Sequence, residues 1–577
     1  MDRRLFLKST ASTALLGAFS SRALAAAGVG APGTDPLVLE LIKANDARMP
    51  DQLARQEKRA SHRWQGCVAD DYGLPSVGGT AGWIASLVSA VASPESAYAR
   101  SEALVGPLEQ AAAYLLKAQH DDGTIDLLST NFRSPPDTAF VLEYVTTAAE
   151  ILRLRPWGPL RRLEADLKTF IVRAGGALVT GGVHTPNHRW VVCAALAKVH
   201  SLYPDSRYVE RVDQWLAEGI DLDPDGQYTE KSTSVYSPIV DRALLTVASR
   251  LNRPALRDAV RKNLEMTLYY IHPDGEVVTE ASKRQDKYQR GSMARYYYSY
   301  RTLALLDRDG RFAAMARQIE TNARAQLVNE LPTFLEEPDL QRPLPPDAPL
   351  PTDYARVFPY SSLARIRRGS VSATILAENS TLFSLRKGAA ALEAVRFASA
   401  FFGKGQFVGT ALEVEGNRYR LRQELDGPYF QPLSAAQIAD GEHVRMAPNG
   451  TLAVGSRAAR ALSNVQRIES VAELTEDRGR FTLTISIRGT DHVPVAVELA
   501  FRHGGRLEGV QPVADVKDAY LLQAGRGRYV VGDDAIDFGP GQVEHTWTQL
   551  RGALPKWDGQ SVYLTGVTPF QTTLTFS

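Results

Sequence analysis

Between about residues 37 and 330 apolar positions recur three and four apart, as in EQAAAYLLKAQ (109–119), DTAFVLEYVTTAAEIL (137–152), RALLTVASRL (242–251) and ARYYYSYRTLALL (294–306). That spacing puts one apolar stripe on a helix and predicts a helical N-terminal half. After residue 356 the period falls to two, in SATILAEN (372–379), TLFSLRKG (381–388), RFTLTISIRG (480–489) and VPVAVELAFR (493–502), with Gly, Asn and Asp between the runs. Alternation of this kind predicts short antiparallel strands, and over this length a β-sandwich. Between the halves, PDLQRPLPPDAPLPTDY (338–354) is too rich in proline to be helical throughout. It predicts an extended strap over about residues 331–355.

The helical half carries a repeat. Similar turns stand around Gly123 (HDDGTIDL), Gly226 (DPDGQYTE) and Gly275 (HPDGEVVTE), and the Gly-rich AGGALVTGG contributes Gly176, giving steps of 53, 50 and 49 residues. A period near fifty fits one antiparallel helix pair with its loops. A ring of such hairpins, an α/α toroid, hides its own ends, whereas a linear stack needs polar caps. The expected fold class is therefore α+β: an N-terminal, incomplete α/α toroid over residues 37–330 and an antiparallel β-sandwich over 356–577.

Composition changes this picture little. The 577 residues include 66 basic and 65 acidic side chains, so no global field favours nucleic acid or an anionic membrane. Cys67 and Cys193 have the spacing of neither a zinc site nor a redox pair, and they predict two buried thiols. The start, MDRRLFLKSTASTALLGAFSSRALAAAG, joins paired arginines, a short apolar run and an Ala-x-Ala stop. It resembles a twin-arginine export signal over residues 1–26, which predicts a periplasmic or secreted protein. No later run is apolar for long enough to span a bilayer.

In a ring of hairpins, residues a fixed distance past each turn converge on one mouth. About nine to fourteen residues past the glycines stand Asn131 and Asp137, Asn187 and His188 of TPNHRW, Tyr236 of EKSTSVYSP, and Lys283 and Arg284 of EASKRQDKY. Around them Arg189, Trp190, Tyr228, Glu230, Lys231 and Arg290 are expected to contact ligand. Amide, imidazole, phenol and guanidinium together suit one chemistry: a uronic acid whose carboxylate is neutralised by Asn187 and Arg284, while His188 and Tyr236 act as base and acid. Loss of the C5 proton then expels the glycosidic oxygen on C4, which is β-elimination. Each residue also has a plainer reading: Asn187 as a helix cap, His188 and Tyr236 as packed rings, the basic run as a solvated face.

The order and spacing of Asn187-His188 and, 48 residues past His188, Tyr236 in KSTSVYS resemble polysaccharide lyases of the alginate lyase and heparinase II/III type. That resemblance implies a toroid followed by a sandwich, an Asn-His pair at one inner helix start and a catalytic tyrosine at a later one. Where such lyases often have an Arg shortly before the tyrosine, this chain has Lys231, which keeps the charge without the planar fork. The resemblance also implies that the sandwich lends a residue to the cleft, and His443, His503, His545 and Arg396 are the candidates. No His, Asp or Cys spacing defines a metal site, and no cofactor is expected. A glycoside hydrolase on the same toroid, using Asp137 and Glu230 as paired carboxylates, is the main alternative; a non-catalytic carbohydrate-binding protein leaves the polar helix starts unexplained.

Overall fold

The computed structural model describes residues 34–439, 444–446, 452–454 and 459–577, so the expected export segment and His443 lie outside the described residues. The α-helices of the N-terminal half are α1 (Pro36–Arg55), α2 (Val77–Ala92), α3 (Val105–Ala118), α4 (Pro135–Leu154), α5 (Arg161–Thr180), α6 (Pro186–Leu202), α7 (Ser206–Ala217), α8 (Tyr236–Arg250), α9 (Leu256–Thr267), α10 (Tyr297–Asp307), α11 (Gly310–Asn322) and α12 (Leu331–Glu336). Helices α2, α4, α6, α8 and α10 pack successively on one another, with α3, α5, α7, α9 and α11 outside them. The sequence explains the two layers. Helix α6 is buried almost all round, from Trp190 through Val191, Val192 and Cys193 to Val199, whereas α7 buries only Tyr208 and Val212. An all-apolar helix belongs inside and an amphipathic one outside. The ring's ends meet where Arg48 of α1 donates to the Ala325 carbonyl at 2.8 Å and Arg324 pairs with Glu40. Cys67 and Cys193 are buried and unpaired, as expected.

The glycine turns lock the hairpins together. Gly123, Gly226 and Gly275 have φ of +89°, +101° and +88°. A Cβ on Gly123 would stand 2.2 Å from the Arg173 carbonyl oxygen of α5, and one on Gly226 2.7 Å from the Lys262 oxygen of α9. The first two turns therefore rest on the backbone of the next outer helix and the Gly275 turn on the Asn322 side chain of α11, 2.4 Å from the Cβ position, and at these positive φ values glycine is the residue that fits. Gly66 belongs to the same series, with φ +87° and a Cβ position 2.1 Å from the Gln110 oxygen of α3, although RWQGCVAD lacks the Asp-Gly signature of the others. Gly176 does not belong: it lies inside α5, because the stripe Leu167, Phe170, Ile171, Ala174, Leu178 continues past it. The loop before α6 is instead residues 181–185.

The strap is shorter than proline content suggests. Leu331, Phe334 and Leu335 are buried, and residues 331–336 form α12, packed on α1, α2 and α4. Beyond it, the described strands form a ten-stranded and an eight-stranded sheet. Pairing is antiparallel except where Ala519–Leu521 runs parallel to Gln560–Val567. Phe383 of the first sheet meets Phe481 and Phe576 of the second at ring distances of 5.2 and 5.5 Å, which places the core between them.

Sandwich and ring share a polar seam. Arg365, fully buried, donates to the Tyr269 and Ile271 carbonyls of the ring and to Ser372 and Thr374 of its own sheet. Arg502 grips Glu276 with two bonds of 3.0 and 2.9 Å. A buried guanidinium is tolerable because its N–H groups are met this way.

The turn argument makes two opposite forecasts. Gly123→Ala should lower the melting temperature by an amount corresponding to on the order of 2–4 kcal/mol, from the backbone clash and the left-handed φ. Gly176→Ala, in a helix with no atom within 4 Å of the added Cβ, should raise stability by roughly 0.5–1 kcal/mol. Equal melting temperatures for the two variants would contradict the assignment.

Candidate active site

Three inner helices present their first turns at one end of the ring. In α4, Ser134 caps by accepting from the Asp137 N–H, and Asp137 Oδ2 accepts from Asn131 Nδ2 at 2.9 Å. In α6 the cap position is Thr185 and Pro186 is the first helical residue, so Asn187 and His188 stand in the first turn proper. Asn187 is therefore not a cap. In α8 Tyr236 is the first residue, and its N–H is accepted by Ser232 Oγ at 3.1 Å. Arg284 arrives differently, from the loop between Thr279 and Gly291 ahead of α10.

Asn187 is 1% exposed, and both its amide hydrogens are taken: one by Thr185 Oγ1 at 2.9 Å, the other by Glu230 Oε2 at 2.6 Å. The other carboxylate oxygen of Glu230 lies 3.8 Å from Arg284 Nη1. The Arg284 guanidinium sits 5.3 Å from the centre of the Tyr236 ring, and Gln285 Nε2 donates to Tyr236 Oη at 2.6 Å. His188 lies edge-on to Phe140 with ring centres 6.1 Å apart, beside His184 at 6.4 Å. The structure thus joins Asn187, Glu230, Arg284 and Tyr236 in one chain of contacts, with His188 next to Asn187.

The electrostatics follow from burial. Burial pushes the His188 imidazolium below its ordinary range, Asp137 opposing and His184 and Arg284 adding to the effect. His188 is thus neutral near pH 7 and able to accept a proton. Burial raises the Glu230 carboxyl, against the bond from Asn187 and the charge of Arg284. Three buried atoms, Asn187 Oδ1, His188 Nδ1 and Glu230 Oε1, have no hydrogen-bond partner. Unsatisfied polar atoms in the first turn of α6 and on its partner Glu230 are candidate points of contact for a ligand or for water.

Several expected contact residues are committed elsewhere. Trp190 is fully buried and gives its Nε1–H to Asp221; Arg189 pairs with Asp221 and Glu218. Both fasten α6 to the loop after α7 and leave the cluster. Tyr228 is buried, its hydroxyl bonded to Asp241 at 2.8 Å. Lys231, with φ +48°, sends Nζ to the Tyr360 carbonyl, and Lys283 pairs with Glu378, so both bind the sandwich. Arg290 is exposed, outside the cluster.

The sandwich candidates are likewise occupied: Arg396 by Glu498 and the Pro555 carbonyl, His545 by the Gly566 carbonyl, His503 near Asp558 at 3.4 Å. Near the cluster's loop the sandwich instead supplies Asn379, bonded to Tyr288 at 2.7 Å, and Trp557, 4.7 Å from the Tyr288 ring. Gln285 and His184 were not singled out by sequence, although each adjoins a quoted motif. Among the described residues no group of three or more His, Cys, Asp or Glu is placed to hold a metal ion.

No protein-family model matches the chain, and no curated protein matches it by sequence. Solved structures do. Heparinase III superposes with a TM-score of 0.57 at 10% identity, over 92% of this chain and 84% of that one. The Streptomyces coelicolor A3 chondroitin AC lyase gives 0.56 at 12%, over 95% and 80%. A Paenibacillus xanthan lyase gives 0.55 at 10%, over 94% and 57%. The chain shares the toroid-plus-sandwich fold of these polysaccharide lyases.

The Asn187–Glu230 bond generates a pH-dependent forecast. Asn187→Asp sets two buried carboxyls together, so one must keep a proton. The folded protein then holds a proton that the unfolded chain releases above its ordinary carboxyl value, and stability falls as pH rises from there. The melting-temperature deficit against the parent should therefore widen between about pH 5 and about pH 8. A deficit independent of pH would show that the introduced carboxyl and Glu230 do not meet.

Proposed function

We propose that the protein is a carbon–oxygen lyase that cleaves a uronate-containing polysaccharide by β-elimination. The observation that carries the reading is a phenol flanked by a guanidinium in the first turn of α8 and an imidazole, held neutral by burial, in the first turn of α6, with the buried Asn187 Oδ1, His188 Nδ1 and Glu230 Oε1 left unpartnered. The shared fold with lyases of chondroitin and xanthan adds support.

Arg284 neutralises the substrate carboxylate. His188 takes the C5 proton, the electrons form the C4–C5 double bond, the C4–O bond breaks, and Tyr236 delivers its hydroxyl proton to the leaving oxygen. Asn187 contributes by turning its amide: with Glu230 protonated, the Asn187 oxygen accepts from the carboxyl and its N–H turns to the substrate. The raised Glu230 carboxyl makes that exchange accessible. We assign the enzyme to the periplasm or exterior, from the twin-arginine-like start. Among the described residues no helix is long and apolar enough to cross a membrane.

The same raised carboxyl favours a second reading, hydrolysis with Glu230 as general acid and Asp137 as its partner. Two variants separate them. Tyr236→Phe should keep the fold and lower turnover by about a hundredfold or more, followed by the ultraviolet absorbance of the unsaturated product. Glu230→Gln, which retains a hydrogen-bond donor, should be much milder. The opposite ranking, with new reducing ends and no absorbance, would establish hydrolysis. Because His188 titrates below the ordinary imidazole range, the lyase should stay active at mildly acidic pH and fail only as His188 takes up a proton. An acid limb above the ordinary imidazole range would contradict this role.

A further inference from the structure

Inside the ring, bounded by α1, α2, α4, α8 and residues 328–332, lies a cavity of ≈ 640 Å³. That volume is in the range of sites that enclose small ligands. Helices α4 and α8 contribute to both places: Glu143 and Arg242 of the cavity stand about two turns beyond Asp137 and Tyr236 on the same helices.

Its walls are unusual in three respects. Arg48 and Arg55 line it, and neither pairs with a carboxylate among the described residues. Arg48 donates to the Asn329 side chain and the Ala325 carbonyl, and Arg55 only to the Ala69 carbonyl at 3.3 Å. Both side chains are exposed, so most of their N–H groups face solvent at the cavity's open side rather than a protein partner. Arg242, deeper, is matched by Glu143 and Glu330 and closes the floor.

Second, the Tyr144 ring is 45% exposed although it lies on an inner helix, and the atoms crowding it push its phenol up. A side chain both crowded and reachable by solvent lines an open concavity. Third, α2 carries Gly78 and Gly82 one turn apart on this wall. Glycine inside a helix costs about 1 kcal/mol relative to alanine. A Cβ at either would come no closer than 3.9 Å, to Val141 or Tyr144, so packing does not require them. Their effect is to leave the wall bare.

Unpaired guanidiniums, an accessible aromatic ring and a bare helix wall together fit an acidic pyranose: carboxylate to arginine, ring face to tyrosine, edge to glycine. We infer that this cavity is a second binding site, distinct from the eliminating cluster, for a uronate unit of the same polymer, with Arg55 as its carboxylate contact. The identity of the ligand rests on the proposed substrate class; the site itself rests on the cavity.

The test uses the full chain carrying Tyr236→Phe, whose slowed turnover leaves the oligomer intact during a titration. Hexamers of mannuronate, of galacturonate and of glucuronate alternating with N-acetylglucosamine, with cellohexaose as the neutral control, are titrated calorimetrically. Arg55→Gln and Gly82→Leu are then each added. A uronate hexamer that binds the Tyr236→Phe protein should bind either double variant roughly tenfold or more weakly, at a melting temperature no lower than that of the Tyr236→Phe protein. Cellohexaose should bind none of them. If a uronate hexamer binds and both double variants bind it equally well, the second site is refuted while the lyase reading stands. If no uronate hexamer binds even the Tyr236→Phe protein, the substrate class fails and the inference falls with it.

Discussion

A buried carboxylate holds together the end of the ring where the candidate site lies. Asp286 is 1% exposed and accepts from Ser232 Oγ, Ser234 N and Oγ, and Ser282 Oγ, at 2.9–3.1 Å. No cation pairs with it among the described residues. Isolating a carboxylate from water costs several kcal/mol unless such donors replace the solvent, so the two loops that supply them are bound to one geometry. One is the Ser232–Ser234 segment, whose Ser232 Oγ also accepts from the first N–H of α8 and so sets where Tyr236 begins. The other carries Arg284 and Gln285, which immediately precede Asp286. The Arg284–Tyr236 and Gln285–Tyr236 contacts follow from that single clasp.

The sandwich supports the same loop from the far side. Glu280, 5% exposed, accepts from Thr374 and Ser384 of the first sheet, both at 2.7 Å, and its carbonyl accepts from Asn379. Burial would raise its carboxyl, but His272, Arg365 and Arg386 outweigh that and hold it well below the ordinary range. The loop is thus pinned at Glu280 to the sandwich and at Asp286 to the ring. This gives the second domain a role in shaping the cluster even though His503 and His545 are engaged elsewhere. These polar contacts stand beside an apolar patch in which Met266, Tyr270 and Val278 of the ring pack on Phe358, Leu363 and Leu376 of the sandwich, so loosening the polar contacts alone is expected to disturb Arg284 before it unfolds either domain.

Much of this was legible in the chain, for physical reasons that differ by feature. The helical period and the alternating period reported layers, because burial acts on side chains in register with the backbone. The glycine turns reported the hairpins, because the left-handed φ and the contact with an outer helix leave no other residue. Gly176 misled since glycine in a helix leaves the same composition as glycine in a turn, and Gly66 escaped because its surroundings lack the Asp-Gly pattern. Asn187, His188, Tyr236 and Arg284 do gather at one mouth. The partnership of Asn187 with Glu230, 43 residues apart, was hidden, as was the diversion of Trp190 and Tyr228 into buried bonds. Such pairings depend on which way a side chain points within a turn of helix, and spacing alone does not carry that.

The central claim is that the cluster removes a carbon-bound proton and breaks the C4–O bond without water. The most direct measurement is the mass of the products formed in water enriched in heavy oxygen, using a uronate oligomer that the enzyme cleaves. Elimination predicts two fragments whose masses sum to that of the substrate, with no label in either. A label gained at the new end, with the mass of one water added, would contradict it.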